Sequence, residues 1–319
     1  MPEIIQWGLI FIVSLIFLIK SADFFIGAAE KIGLALGIPS FIIGVTIVAL
    51  GTSIPELASS IVAVQKGTTE IVVSNVVGSN ITNVFLVLGV ILLISKGNKM
   101  SMEYSRSDAA LLIGSAALLS IFVWDGQFVW WEAVVCLVGL MLYLFSYIRK
   151  YQQDKADDTA EEIADRPPLK WTYFLILALS IVGIYFSAEY NIEAIIKIAE
   201  ILNIGTEIIA LSAVALGTSL PELFVSIAAV RKGQTEMAIG NVLGSNILNV
   251  LVVMGIPGLL TTLAIPDIVL SLSIPLYLLA TLSLFLVLRF KRMDWWSGVL
   301  LLCMYGFFFY QLISQNIAV

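Results

Sequence analysis

The 319-residue chain is expected to be an all-α membrane protein, with ten transmembrane helices forming two inverted five-helix repeats and broken helices at the site between them. Three observations lead there. Hydrophobic residues make up 60% of the chain and charged residues only 13%, where a soluble domain carries about a quarter charged. Apolar runs recur along the whole length, each near the roughly 20 residues a helix needs to cross hydrocarbon. One half of the chain also repeats the other at a fixed offset.

The runs place spans at 4–29, 39–64, 70–94, 108–124, 129–148, 169–192, 206–230, 236–262, 267–289 and 296–315, separated by Pro, Gly or charged residues. The stretch from Arg149 to Lys170 includes DKADDTAEEIADRPP. It is acidic and ends in Pro167-Pro168, so it reads as a flexible linker. The chain then divides into a first five-helix repeat (1–150), a cytoplasmic linker (151–168) and a second five-helix repeat (169–319).

Lys and Arg placement sets the orientation. Thirteen of the 17 basic residues fall in the connections between spans 3 and 4, 5 and 6, 7 and 8, and 9 and 10, and the opposite side keeps only Lys66 and Lys197. Both termini are therefore expected outside a cell membrane. Trp7, Trp124, Trp130 and Trp131 would form the outer aromatic belt, and Trp171, Trp295 and Trp296 the inner one. Cys136 and Cys303 lie inside apolar spans and read as packing residues. With no histidine and no cysteine cluster, a soft or transition-metal centre is excluded. No basic patch points to nucleic acid, and nothing points to an enzyme or a cofactor.

Shifted by 166 residues, 48–89 lies on 214–255 without a gap, with 27 of the 42 positions identical. The match continues weakly upstream, where Ser21-Ala22-Asp23 lies over Ser187-Ala188-Glu189. The first span is therefore expected to belong to the fold and not to a cleaved leader. Five spans per copy is an odd number, so the second copy enters the membrane from the opposite face. Inverted repeats of this kind build secondary transporters, with the site near the midplane at discontinuous helices.

Each copy carries an acidic motif well inside an apolar span, Gly51-Thr52-Ser53-Ile54-Pro55-Glu56 and Gly217-Thr218-Ser219-Leu220-Pro221-Glu222. Proline has no N–H, so it frees the carbonyl four residues back. In hydrocarbon that carbonyl needs protein, water or an ion. A carboxylate at the bilayer centre costs about 2.5–3.5 kcal/mol on insertion scales, and neither span supplies a buried cation. Two such acids at equivalent repeat positions therefore call for a cationic partner. The companion motifs are Asn75-Val76-Val77-Gly78-Ser79-Asn80-Ile81-Thr82-Asn83 and Asn241-Val242-Leu243-Gly244-Ser245-Asn246-Ile247-Leu248-Asn249. Ser79 and Asn83 are four apart, as are Ser245 and Asn249, so each pair shares a helix face. Gly78 and Gly244 would let another helix approach closely. Asn75, Asn80, Asn241 and Asn246 serve equally well as ligands or as amides joining helices. Hard oxygen donors with two negative charges suit Ca2+, which takes six to eight oxygens in flexible geometry. The surrounding hydroxyls and amides suit Na+.

The paired GTS-PE and GS---N segments resemble the two alpha-repeats of the cation/Ca2+ exchanger superfamily, in its Na+/Ca2+ exchanger branch and of the prokaryotic type. The resemblance implies that Glu56 and Glu222, with the carbonyls of Thr52 and Thr218, form the central Ca2+ site. It also implies that Ala49 and Ala215 supply carbonyls, and Ser53, Ser79, Ser219 and Ser245 hydroxyls, to flanking Na+ sites, with Asn83 and Asn249 completing the centre. K+-dependent relatives and certain archaeal ones carry Asp where this chain has Asn249, so coupling is expected to be K+-independent. The H+/Ca2+ branch replaces GTS-PE with a GN-type motif. The expected function is electrogenic Na+/Ca2+ antiport by a monomer in a lipid bilayer, with Ca2+ and Na+ as its substrates. H+/Ca2+ or K+-dependent exchange on the same fold is the nearest alternative. A cation channel or a Na+-coupled symporter is more distant.

Overall fold

A computed structural model describes residues 2–95, 106–156, 166–201, 219–290 and 294–317. Ala215 and Thr218 lie outside the described residues, as do the first part of the expected span 206–230 and half of the linker. The long helices are α1 (Pro2–Leu36), α2 (Ser40–Gln65), α3 (Glu70–Ile94), α4 (Arg106–Phe122), α5 (Trp130–Ala156) and α6 (Trp171–Ile201). They continue with α7 (Leu220–Arg231), α8 (Thr235–Leu260), α9 (Val269–Phe290) and α10 (Trp295–Ile317). Among the described residues, eight of these are long and apolar enough to cross a membrane. Helix α4 is shorter, and α7 is described only from Leu220 onward. Helix α5 runs to Ala156 and so continues into the stretch expected as linker.

Burial divides the helices into two sets. Helices α3 and α8 are mostly buried, whereas α1 and α6 pack along each other and leave most of their surface to lipid. The outward side chains include Leu9, Phe17, Phe24, Leu179 and Phe186. A helix hydrophobic all round is a buried one, and beyond the first-turn Glu70 and Glu236 the polar residues of α3 and α8 are short Ser, Thr and Asn. Close packing at the centre depends on glycine. A Cβ on Gly240 would meet the Phe41 carbonyl oxygen at 2.5 Å, and one on Gly244 would meet Ala49 Cβ at 2.6 Å. Helix α8 therefore seats directly on the backbone of the first half of α2. For Gly78, the repeat-equivalent surface is Leu211 and Ala215, outside the described residues.

Helix starts and π turns fall at matched positions in the central helices. α2 is interrupted at Ser53, and a new helix starts at Ile54. α7 starts at Leu220 after Ser219. π-helical turns open at Asn83 in α3 (Asn83–Leu88) and at Asn249 in α8 (Asn249–Met254). Each pair is separated by the 166-residue offset. A further π turn, Gly44–Val48, lies in α2. The wider turn displaces carbonyls from the helical ladder, and the Tyr143 hydroxyl donates to the Val45 carbonyl that results.

The connections gather in two groups. At one end the Arg166 guanidinium lies against Gly37. There Ser40 Oγ also donates to Gln234 Oε1 at 2.7 Å, and Gln234 Nε2 donates to Glu30 Oε1 at 2.8 Å. At the other, strands β1 (Gln127–Phe128) and β2 (Leu263–Ala264) pair antiparallel, and the Ala264 N–H donates to Thr69 Oγ1 at 3.3 Å. Connections α1–α2, α5–α6 and α7–α8 thus meet at one end, and α2–α3, α4–α5 and α8–α9 at the other.

Candidate cation-binding site

The two helix breaks place both glutamates in one kind of environment. Glu56 falls in the first turn of Ile54–Gln65, and Glu222 in the first turn of Leu220–Arg231. Ser53 and Ser219 occupy the N-cap positions, yet neither makes a side-chain capping bond. Proline at N1/N2 starts each helix, where its missing N–H costs nothing. The N-terminal dipole favours a carboxylate there by about 0.3–1 kcal/mol, up to about 2 in buried geometry. That does not match the cost of burying the charge in hydrocarbon.

Both glutamates are fully buried. None of their four carboxylate oxygens has a hydrogen-bond partner, and among the described residues no Lys or Arg pairs with either. Ile54–Gln65 packs against Asn249–Met254, and Leu220–Arg231 packs against Asn83–Leu88 and Ala49–Thr52. Each acid-bearing segment therefore lies against the π turn of the other repeat. The buried polar atoms lacking a partner form a specific set. They are the hydroxyls of Ser53, Ser60, Ser219 and Tyr305, the carboxylates of Glu56 and Glu222, both amide atoms of Asn83 and Asn249 Oδ1. Six of those eight residues are on the sequence-derived list. Buried polar groups are otherwise almost always bonded, and carboxylate, hydroxyl and amide oxygens together form a donor set that suits a hard cation.

The remaining candidates sit around this set. Thr52 Oγ1 is within 3.2 Å of Asn241 Oδ1, 3.3 Å of the Ala49 carbonyl and 3.4 Å of Ser245 Oγ. The Ala49 carbonyl also accepts from the Ser53 N–H at 3.0 Å, so a cation there would compete with the Thr52 hydroxyl. Ser79 Oγ donates to Asn75 Oδ1 at 3.5 Å. The structure thus brings together Ser53, Glu56, Asn83, Ser219, Glu222 and Asn249 as open oxygens, with Ala49, Thr52, Ser79 and Ser245 bonded beside them.

Sequence reasoning passed over two residues. Ser60 lies one turn beyond Glu56, and its identity with Ser226 in the other repeat was a usable signal. Tyr305 on α10 had none, because the repeat offset places Gly139 opposite it. Of the upstream acidic pair, Glu189 is exposed and Asp23 half-buried.

Two buried carboxylates with no basic partner among the described residues, each in the first turn of a proline-started helix of a chain with eight membrane-length apolar helices, define an ion-transporting membrane protein. The comparisons agree. The family described as "Sodium/calcium exchanger protein" matches residues 7–149 and again 172–313. The chain is 33% identical over 288 residues to the sodium/calcium exchanger MaX1 of Methanosarcina acetivorans, covering 79% of this chain and 82% of that protein. It is 32% identical to the putative antiporter CaxA of Alkalimonas amylolytica, over 95% of this chain and 98% of that one. Among solved structures it is similar to the sodium-calcium exchanger NCX_Mj soaked with Na+ and Sr2+. There the TM-score is 0.79 at 26% identity, covering 95% of this chain and 98% of that chain. The chain belongs to the sodium/calcium exchanger family and is a multi-pass membrane protein.

Proposed function

We propose that this protein is a Na+/Ca2+ antiporter that exports Ca2+ by alternating access, moves net charge and does not require K+. The observation that carries the reading is that the unpartnered carboxylates of Glu56 and Glu222 lie on segments each packed against the other repeat's π turn, on chain that also carries the open oxygens of Ser53, Ser219 and Asn249. Two fixed negative charges suit one Ca2+, and the surrounding hydroxyls and amides offer Na+ positions. Na+ and Ca2+ then compete for one carboxylate cage, and the helices exchange access only when the charge is compensated. Thr52, Thr218, Ala49 and Ala215 complete the proposed ligand set through their carbonyls, with Ser79, Ser245 and Asn83.

The reading includes ten crossings in two inverted repeats, both termini outside the cell membrane, and a functional monomer. It is supported by helix breaks and π turns that recur at the repeat offset. The division of the connections between two ends is also that of an odd-numbered repeat.

The test is 45Ca2+ uptake into proteoliposomes under imposed Na+, K+ or H+ gradients. Uptake driven by an outward Na+ gradient alone is the expected result. Uptake driven by a pH gradient alone, or a requirement for K+ on the Ca2+ side, would replace this reading with H+/Ca2+ or K+-dependent exchange.

A further inference from the structure

Asn249 presents only its oxygen to the site. Its Nδ2 donates to Asn80 Oδ1 at 3.0 Å, while its Oδ1 is buried without a partner. Asn80 is itself held. Its Nδ2 donates to the backbone carbonyl of Asn246 at 3.2 Å. A backbone carbonyl can only accept, so the order of the chain has one solution. The Asn246 carbonyl fixes which end of the Asn80 amide faces it, Asn80 Oδ1 then faces Asn249, and Asn249 must give its nitrogen to Asn80. What remains for the carboxylate cage is an oxygen. All three residues are fully buried or nearly so.

The repeat-equivalent chain is not made. Asn246 Nδ2 donates to the Val242 carbonyl at 2.7 Å within its own helix, and neither amide atom of Asn83 has a partner. The same two residue types therefore orient one site amide and leave the other free.

We infer that Asn80 is a positioning residue for cation binding, acting through Asn249 by holding that amide with its oxygen toward the ion. An amide nitrogen turned the other way would present two positive hydrogens to a cation beside Glu56 and Glu222. The inference rests on the proposed Na+/Ca2+ site and adds to it a residue outside the ligand set.

The test is a double-mutant cycle read by equilibrium 45Ca2+ binding, and by Na+ competition for it, on the purified full chain in detergent. Asn80→Ala is expected to weaken Ca2+ binding about tenfold, the worth of one oriented hydrogen bond to a buried charged site. In an Asn249→Ala background, Asn80→Ala should add nothing, because the amide it orients is gone. If Asn80→Ala does not elute as a folded monodisperse species, the isosteric Asn80→Leu takes its place. Unchanged affinity of Asn80→Ala in the otherwise wild-type chain, or losses that simply add with Asn249→Ala, would overturn the inference while leaving the site intact. Normal Ca2+ binding by Glu56→Gln would instead remove the cation site, and the inference with it.

Discussion

The Thr52 hydroxyl lies 3.2 Å from Asn241 Oδ1, and the nitrogen of the same amide donates to Ser226 Oγ at 3.1 Å. Thr52 is one turn before Glu56 and Ser226 one turn after Glu222. One buried amide on α8 therefore ties together the two segments that carry the carboxylates. Asn241→Ala leaves two buried hydroxyls without this partner, at a cost of about 1–3 kcal/mol. The expected result is a lower melting temperature in cation-free detergent together with weaker Ca2+ binding. Loss of stability with unchanged affinity would mean that Asn241 only joins helices.

Replacing either central carboxylate should separate stability from binding. Glu56→Gln and Glu222→Gln each remove a buried charge that has no protein counter-charge, so the cation-free protein should melt at the same or a higher temperature. Saturating Ca2+ at 100 times its dissociation constant stabilises a single-site protein by about 2.7 kcal/mol, and in either variant this shift should vanish along with 45Ca2+ flux. Near-normal flux in either variant would sink the ligand assignment.

Transport should respond to voltage. If three Na+ leave for each Ca2+ that enters, one positive charge is exported, worth about 2.3 kcal/mol per 100 mV. A valinomycin-clamped, inside-positive potential should then speed Ca2+ uptake by Na+-loaded vesicles, and an inside-negative one should slow it. Indifference to both signs would indicate two-for-one exchange and leave the extra hydroxyls without a third Na+.

Gly244 should tolerate no side chain. A Cβ there meets Ala49 Cβ at 2.6 Å and the backbone around Val45, and backbone cannot yield as a flexible side chain does. Gly244→Val is expected to destabilise by about 1–3 kcal/mol or more, lowering the melting temperature and Ca2+ binding together because α8 carries Asn249. A variant that melts like wild type would show that α8 and α2 do not approach this closely.

The membrane class was legible from the composition and the apolar runs, because a chain with 13% charged residues cannot cover a water-facing surface. The carboxylates and the adjoining Ser and Asn positions were legible because they occur twice at one offset, and a buried acid without a basic neighbour has few physical explanations. Tyr305 was not, since its place beside the site comes from the packing of α10 against the π segment of α3. The sequence by itself determined which residue types stand at each repeat position, and there the two halves are equal: Ser60 and Ser226, Asn80 and Asn246, Asn83 and Asn249. Only the tertiary structure decided that Ser226 is bonded and Ser60 open, and that Asn249 is oriented while Asn83 is free. Identical residues in identical local text carry identical local information. Their partners come from other helices, and the packing of those helices differs between the two halves.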